Sequence, residues 1–149
     1  AICRYMQMIF APGALYVPED TATLAKEEEW CLYVYGELDE TSLYVMRRHY
    51  DLTDIYGEAP QAVVVARAYL QRHFAVIDAH LAAHETLLPS GFGLADIMLM
   101  SCLDWAVFYG EDLPKDVGAY RKRHAVRPAY KKAMAINYAN LPEVLDGTA

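Results

Sequence analysis

An all-α fold follows from three features of this 149-residue chain. From Thr21 onward, apolar residues recur at spacings of three and four, and the apolar–polar alternation that marks strands is absent. No proline falls between Pro18 and Pro60, which leaves room for a long uninterrupted helix. Hydrophobic residues make up 55% of the chain and charged residues 22%, enough apolar surface to close one core at this length. A single bundle of about five helices is predicted.

The elements follow in order. Residues 1–12 read as a short helical start broken at Pro12-Gly13, and residues 13–22, which include Pro18, read as a linker. Thr21 or Thr23 can cap the next helix, and Glu27, Glu28 and Glu29 in its early turns suit the helix dipole. That helix runs from about Thr23 to Tyr50. Cys31, Val34, Leu38, Thr41 and Val45 form its core stripe, with Leu32, Tyr35, Asp39 and Met46 on a neighbouring stripe.

After Gly57 and Pro60, a second long helix carries Val63, Ala66, Leu70, Phe74, Ile77 and Leu81 on one face and ends near Leu87. The two long helices are expected to pack antiparallel. A third helix, Leu94 to Tyr109, is apolar almost all round, as suits an enclosed hub, and Gly110 ends it. Pro114 opens a short fourth helix and Pro128 a fifth, running to about Tyr138. The helical body thus spans residues 23–140, followed by a loosely held tail at 141–149.

A net charge of -7 argues against nucleic acid or an anionic membrane as partner. Arg121, Lys122, Arg123, Arg127, Lys131 and Lys132 gather without aromatics interleaved at a binding spacing and read as a solvated helix face. Three scattered cysteines, Cys3, Cys31 and Cys102, fit reduced thiols in the cytoplasm. No apolar run reaches the ~18 residues a membrane span requires. The first ten residues lack the pattern of a signal peptide and read as a cut edge. His80 and His84 stand four apart with Glu85 beside them, but without a third ligand they read as surface histidines, and no metal is expected.

The most informative segment is Gly91-Phe92-Gly93-Leu94-Ala95-Asp96-Ile97. With Gly93 at the N-cap, Asp96 stands at the third helical position, where its carboxylate can reach back to the cap N–H. A structural cap inside the core is the reading for Asp96, and its loss should cost roughly 1–3 kcal/mol.

With Leu94-Ala95-Asp96 in this place, the chain resembles the C-terminal helical domain of cytosolic glutathione transferases, in which a Ser or Thr cap precedes x-Ala-Asp. Here Gly93 stands where the hydroxyl would be. Ala1-Ile2-Cys3-Arg4-Tyr5-Met6 is similar to the start of the last helix of the family's thioredoxin-like domain, so residues 1–12 are read as a remnant of that domain. Glu29-Trp30, Tyr33, Glu37-Leu38, Leu103, Trp105-Ala106 and Arg127-Pro128 follow the order of bacterial beta-class enzymes.

The resemblance implies a parent transferase that adds the thiolate of glutathione to small hydrophobic electrophiles, commonly as a homodimer. It places glutathione, as co-substrate, mainly on the thioredoxin-like domain, so no catalytic residue is assigned within this chain and the fragment alone is expected to be inactive. It marks Leu32, Tyr35, Asp39 and Trp105 as candidate substrate-binding positions. Beta-class enzymes carry His at the place of Asp39 and Asn at the place of Leu32, and this chain keeps neither. An Asp beside a thiolate would oppose thiol ionisation, so Asp39 is expected to be protonated, to bind a cationic group, or to lie on a solvated face. Trp105 lines the pocket or packs in the core. A non-catalytic module that uses the bundle for protein contacts is the alternative. An open cleft between the first and third helices favours the enzyme, and a cleft filled by Tyr35 packed on Trp105 favours the module.

Overall fold

A computed structural model describes residues 1–10, 13 and 15–138, in which helices are joined by loops and no extended strand occurs. Pro12, the last two positions of the expected body and the tail from Leu141 lie outside the described residues. Helix α1 spans Ile2–Phe10. It is tied to the body through Arg4, which pairs with Glu27 and Glu28, and through Gln7, whose Nε2 donates to the Tyr16 carbonyl at 2.7 Å. Ile2, Tyr5, Met8, Ile9 and Phe10 remain exposed on it.

The long helical run is present, with two differences from its expected form. Helix α2, Thr21–Tyr33, is capped by Asp20, whose Oδ1 accepts the Thr23 N–H at 2.9 Å; neither threonine is the cap. Thr23 instead donates its own hydroxyl to Asp20 at 2.6 Å. The run then continues as a π-helix, Val34–Leu43, before returning to α-geometry in α3, Tyr44–Tyr50. In the wide segment the Tyr44 N–H reaches back five residues to the Asp39 carbonyl, and the Ser42 hydroxyl reaches the Glu37 carbonyl at 2.7 Å. The extra residue per turn advances the register by one position. The buried stripe therefore passes Cys31, Val34, Leu38, Leu43 and Met46, while Thr41 is exposed and Val45 only half-buried.

A one-turn helix α4, Thr53–Tyr56, precedes α5, Pro60–Leu81. Ala66, Leu70, Phe74, Ile77 and Leu81 are its buried face, and Val63 is half-buried. Trp30 meets His80, Tyr33 meets His73 and Tyr69 meets Glu37, so the partners run in opposite directions and the two long helices are antiparallel. Helix α5 stops at Leu81, short of Leu87. The next residues fold into a compact loop because side chains draw the backbone in: His80 Nε2 sits 3.1 Å from the Leu87 carbonyl and Thr86 donates to the Leu88 carbonyl at 2.6 Å.

Helix α6, Leu94–Phe108, touches α1, α2, the π-helix and α7, and Leu94, Leu99, Leu103 and Ala106 are buried within it. It is the hub that its apolar character predicts. The chain leaves α6 through Gly110 at φ +73°, a left-handed conformation that favours glycine. Helix α7, Lys115–Ala125, receives its cap from another helix: Asp78 of α5 accepts the N–H groups of Asp116 at 2.7 Å and Val117 at 3.0 Å. Helix α8, Pro128–Asn137, opens with its proline.

The basic cluster is not uniformly a solvated face. Arg121 is buried and pairs with Asp104 at 2.8 Å, and Arg127 lies over the Phe92 ring at 3.9 Å from its centroid.

Two histidines give the fold a pH dependence. Burial lowers the pKa of His80 below its usual 6.5, and the neighbouring charge of His84 adds to this; burial also lowers His124. The folded state then holds fewer protons than the unfolded chain, so stability present above the unfolded value is lost as pH falls through the lowered folded values. Asp39 and Asp104, raised chiefly by burial, act in the opposite direction. A comparison between variants isolates the histidine contribution. His80→Gln is expected to flatten the loss of melting temperature between about pH 7 and pH 5 relative to the parent protein. Superimposable slopes would remove His80 from this account.

Candidate functional site

The loop before α6 converges on two buried carboxylates. Asp96 accepts the Gly93 N–H at 2.9 Å on Oδ2, and on Oδ1 the Leu87 N–H at 2.9 Å and the Tyr120 hydroxyl at 2.8 Å. Gly93 has no side chain to complete a capping pair. A carboxylate from α2 does this instead: Glu27 Oε1 accepts the Leu94 N–H at 3.1 Å, while its other oxygen pairs with Arg4. This assembly is fully committed to holding α1, α2, α6 and α7 together.

The open chemistry lies at the other end of α6. Arg47 and Asp51, at the end of α3, face Ser101, Asp104, Trp105 and Phe108 of α6 across a groove of about 340 Å³, with Tyr138 at its edge. Trp105 is half-buried and Phe108 exposed. The Trp105 ring packs on Tyr109 at 6.1 Å between centroids. Burial, reinforced by a hydrogen bond to Asp51, pushes the Tyr109 hydroxyl up to about 12, so it stays protonated and donates to that carboxylate. Burial raises Asp104, against the opposing effect of the Tyr130 hydroxyl and Arg121.

Leu32, Tyr35 and Asp39 occupy the α2 and π-helical segment and do not line this groove. Leu32 is 67% and Tyr35 51% exposed, whereas Asp39 is half-buried. Its pKa is raised, first by burial and then by the charge of Glu40. His80 and His84 stack at 4.4 Å, and each directs a ring nitrogen at a backbone carbonyl. Among the described residues no group of three or more His, Cys, Asp or Glu side chains could hold a metal ion. Nor is any helix there long and apolar enough to cross a membrane.

Residues 29–134, well over half of the chain, match the family model of the glutathione S-transferase C-terminal domain. The chain belongs to that family. Glutathione S-transferase structures share its fold. A glutathione S-transferase domain-containing protein of Marinobacter aquaeolei VT8 is 22% identical with a TM-score of 0.72, over 85% of this chain and 64% of that one. A theta-class glutathione S-transferase from the citrus canker pathogen Xanthomonas axonopodis pv. citri is 26% identical with a TM-score of 0.68, over 88% and 70%. One from Xylella fastidiosa is 24% identical with a TM-score of 0.73, over 91% and 66%. The chain thus spans about two-thirds of the length of these proteins. The Xanthomonas enzyme has also been solved with glutathione bound. No curated protein sequence matches significantly.

Within this glutathione S-transferase domain, sequence reasoning singled out Trp105 but missed Arg47, Asp51 and Phe108. Arg47 lies in the basic last turn of α3, a place that the helix dipole explains without any ligand. Only the fold brings that turn opposite α6.

Proposed function

We propose that this domain supplies the electrophile-binding side of a glutathione transferase, with glutathione held by a thioredoxin-like domain elsewhere in the full protein. The observation that carries the reading is the open groove walled by Trp105 and Phe108. Trp105 packs on Tyr109, and Tyr35 stands half exposed, so the two rings named as a filled cleft do not close this one. The exposed apolar residues of α1 fit a helix whose outer side meets another domain.

In the reaction, the thiolate sulfur attacks the electrophilic carbon and either adds to it or displaces a leaving group, which departs with its electron pair. This domain orients the electrophile and keeps water from its apolar part. Leu32, Tyr35 and Asp39 belong to the same proposal as positions nearer the glutathione; burial raises the Asp39 pKa, the direction that lessens its repulsion of a thiolate. A cytoplasmic homodimer is the proposed working form.

The test is glutathione conjugation to 1-chloro-2,4-dinitrobenzene by the protein expressed from its own gene. Conjugation is expected, and Trp105→Ala should raise KM about tenfold, equivalent to ~1.4 kcal/mol of lost contact. Residues 1–149 alone should not conjugate. A full-length product that binds no glutathione would remove the transferase reading and leave the non-catalytic module.

A further inference from the structure

Arg47 lines the α3–α6 groove, where its charge acts on the Tyr109 hydroxyl. Arg47 is exposed in the last turn of α3, and its guanidinium makes no hydrogen bond or ion pair among the described residues. The two acids beside it are already engaged. Asp51 accepts the Tyr109 hydroxyl. Asp104 accepts Arg121 Nε at 2.8 Å and the Tyr130 hydroxyl at 2.9 Å on each oxygen, and Arg121 offsets its charge. Opposite Arg47, Trp105 and Phe108 stand one helical turn apart and offer flat apolar surface. The groove therefore presents an aromatic wall and a forked donor whose geometry matches a carboxylate or sulfonate. An apolar wall beside the guanidinium also strengthens its attraction for an anion relative to open water.

We infer that this groove binds an aromatic ligand carrying one carboxylate or sulfonate, with Arg47 as the anion anchor; as a statement about the transferase's electrophile, it rests on the function proposed above. One arginine among the groove's described lining residues, on a chain of net charge -7, suits a small monoanion, not a polyanion.

Two measurements on the protein from its own gene separate the two ideas. The first compares kcat/KM for 4-chloro-3,5-dinitrobenzoate with that for 1-chloro-2,4-dinitrobenzene. In both, the thiolate forms a C–S bond and chloride leaves. The ratio of carboxylated to uncarboxylated substrate is expected to fall at least tenfold in Arg47→Gln and to take an intermediate value in Arg47→Lys. A ratio that stays within twofold in Arg47→Gln overturns the anchor. The second follows the part of the tryptophan quenching by unreactive 3,5-dinitrobenzoate that is lost in Trp105→Phe. Quenching that weakens at least tenfold in Arg47→Gln, in a protein that conjugates neither substrate, supports the anion site while the transferase reading fails. Absence of quenching in the parent protein overturns the site.

Discussion

Replacing Asp96 with alanine is expected to destabilise the domain by roughly 3–5 kcal/mol, since three buried donors lose their acceptor and each orphaned group costs on the order of 1–3 kcal/mol before relaxation. The Leu87 and Gly93 N–H groups and the Tyr120 hydroxyl all converge on this one carboxylate, which is 1% exposed. Water cannot replace it without opening the loop between α5 and α6. Since a domain of this size holds only about 5–15 kcal/mol in total, the loss is a large fraction of its stability. Urea unfolding followed by circular dichroism measures it as a lower midpoint at unchanged slope. Tyr120→Phe removes one donor and leaves the acceptor bonded to the other two, so it should cost only about 1 kcal/mol. If Asp96→Ala were no worse than Tyr120→Phe, the carboxylate would not be the junction described.

That junction was half legible in the sequence. Asp96 sits three residues from a glycine at the mouth of an apolar run, a local pattern that points to a cap. Its two long-range donors, Leu87 and Tyr120, carry no such mark. Glu27 was hidden for a different reason. It stands in the run Lys26-Glu27-Glu28-Glu29, which reads as charged early turns of a helix, and only Arg4 and the α6 N-terminus make it a buried acceptor. The order of the long helices was readable because their apolar spacing is regular, as in Leu70, Phe74, Ile77 and Leu81. The π-helix was not, because both Val45 and Met46 are apolar and periodicity alone cannot say which one the extra residue turns inward. Arg47 escaped for a related reason. Its phase on α3 depends on that same inserted residue.

Gly93 and Glu27 should behave as a single unit. A β-carbon at position 93 would lie 2.5 Å from Glu27 Oε1 and 3.3 Å from the Tyr16 carbonyl oxygen. The Glu27 carboxylate cannot swing away cheaply, because Leu94 and Arg4 both hold it. Gly93→Ser, which would restore a hydroxyl cap, is therefore expected to destabilise the protein by about 1–3 kcal/mol through overpacking. Glu27→Ala should cost about 2–4 kcal/mol, since it strips the Leu94 N–H of its acceptor and leaves Arg4 with its exposed partner Glu28. In the double variant the clash is gone and the serine hydroxyl can accept from the first turn of α6, an exchange worth about 1 kcal/mol at an N-cap. The double variant should thus be more stable than the sum of the single losses predicts, by at least ~1 kcal/mol in a double-mutant cycle. Strict additivity would mean that the two positions do not compete for the same space, and that Glu27 is not the substitute for the missing cap. A favourable coupling would explain why a chain with glycine at this place keeps a buried glutamate 66 residues earlier.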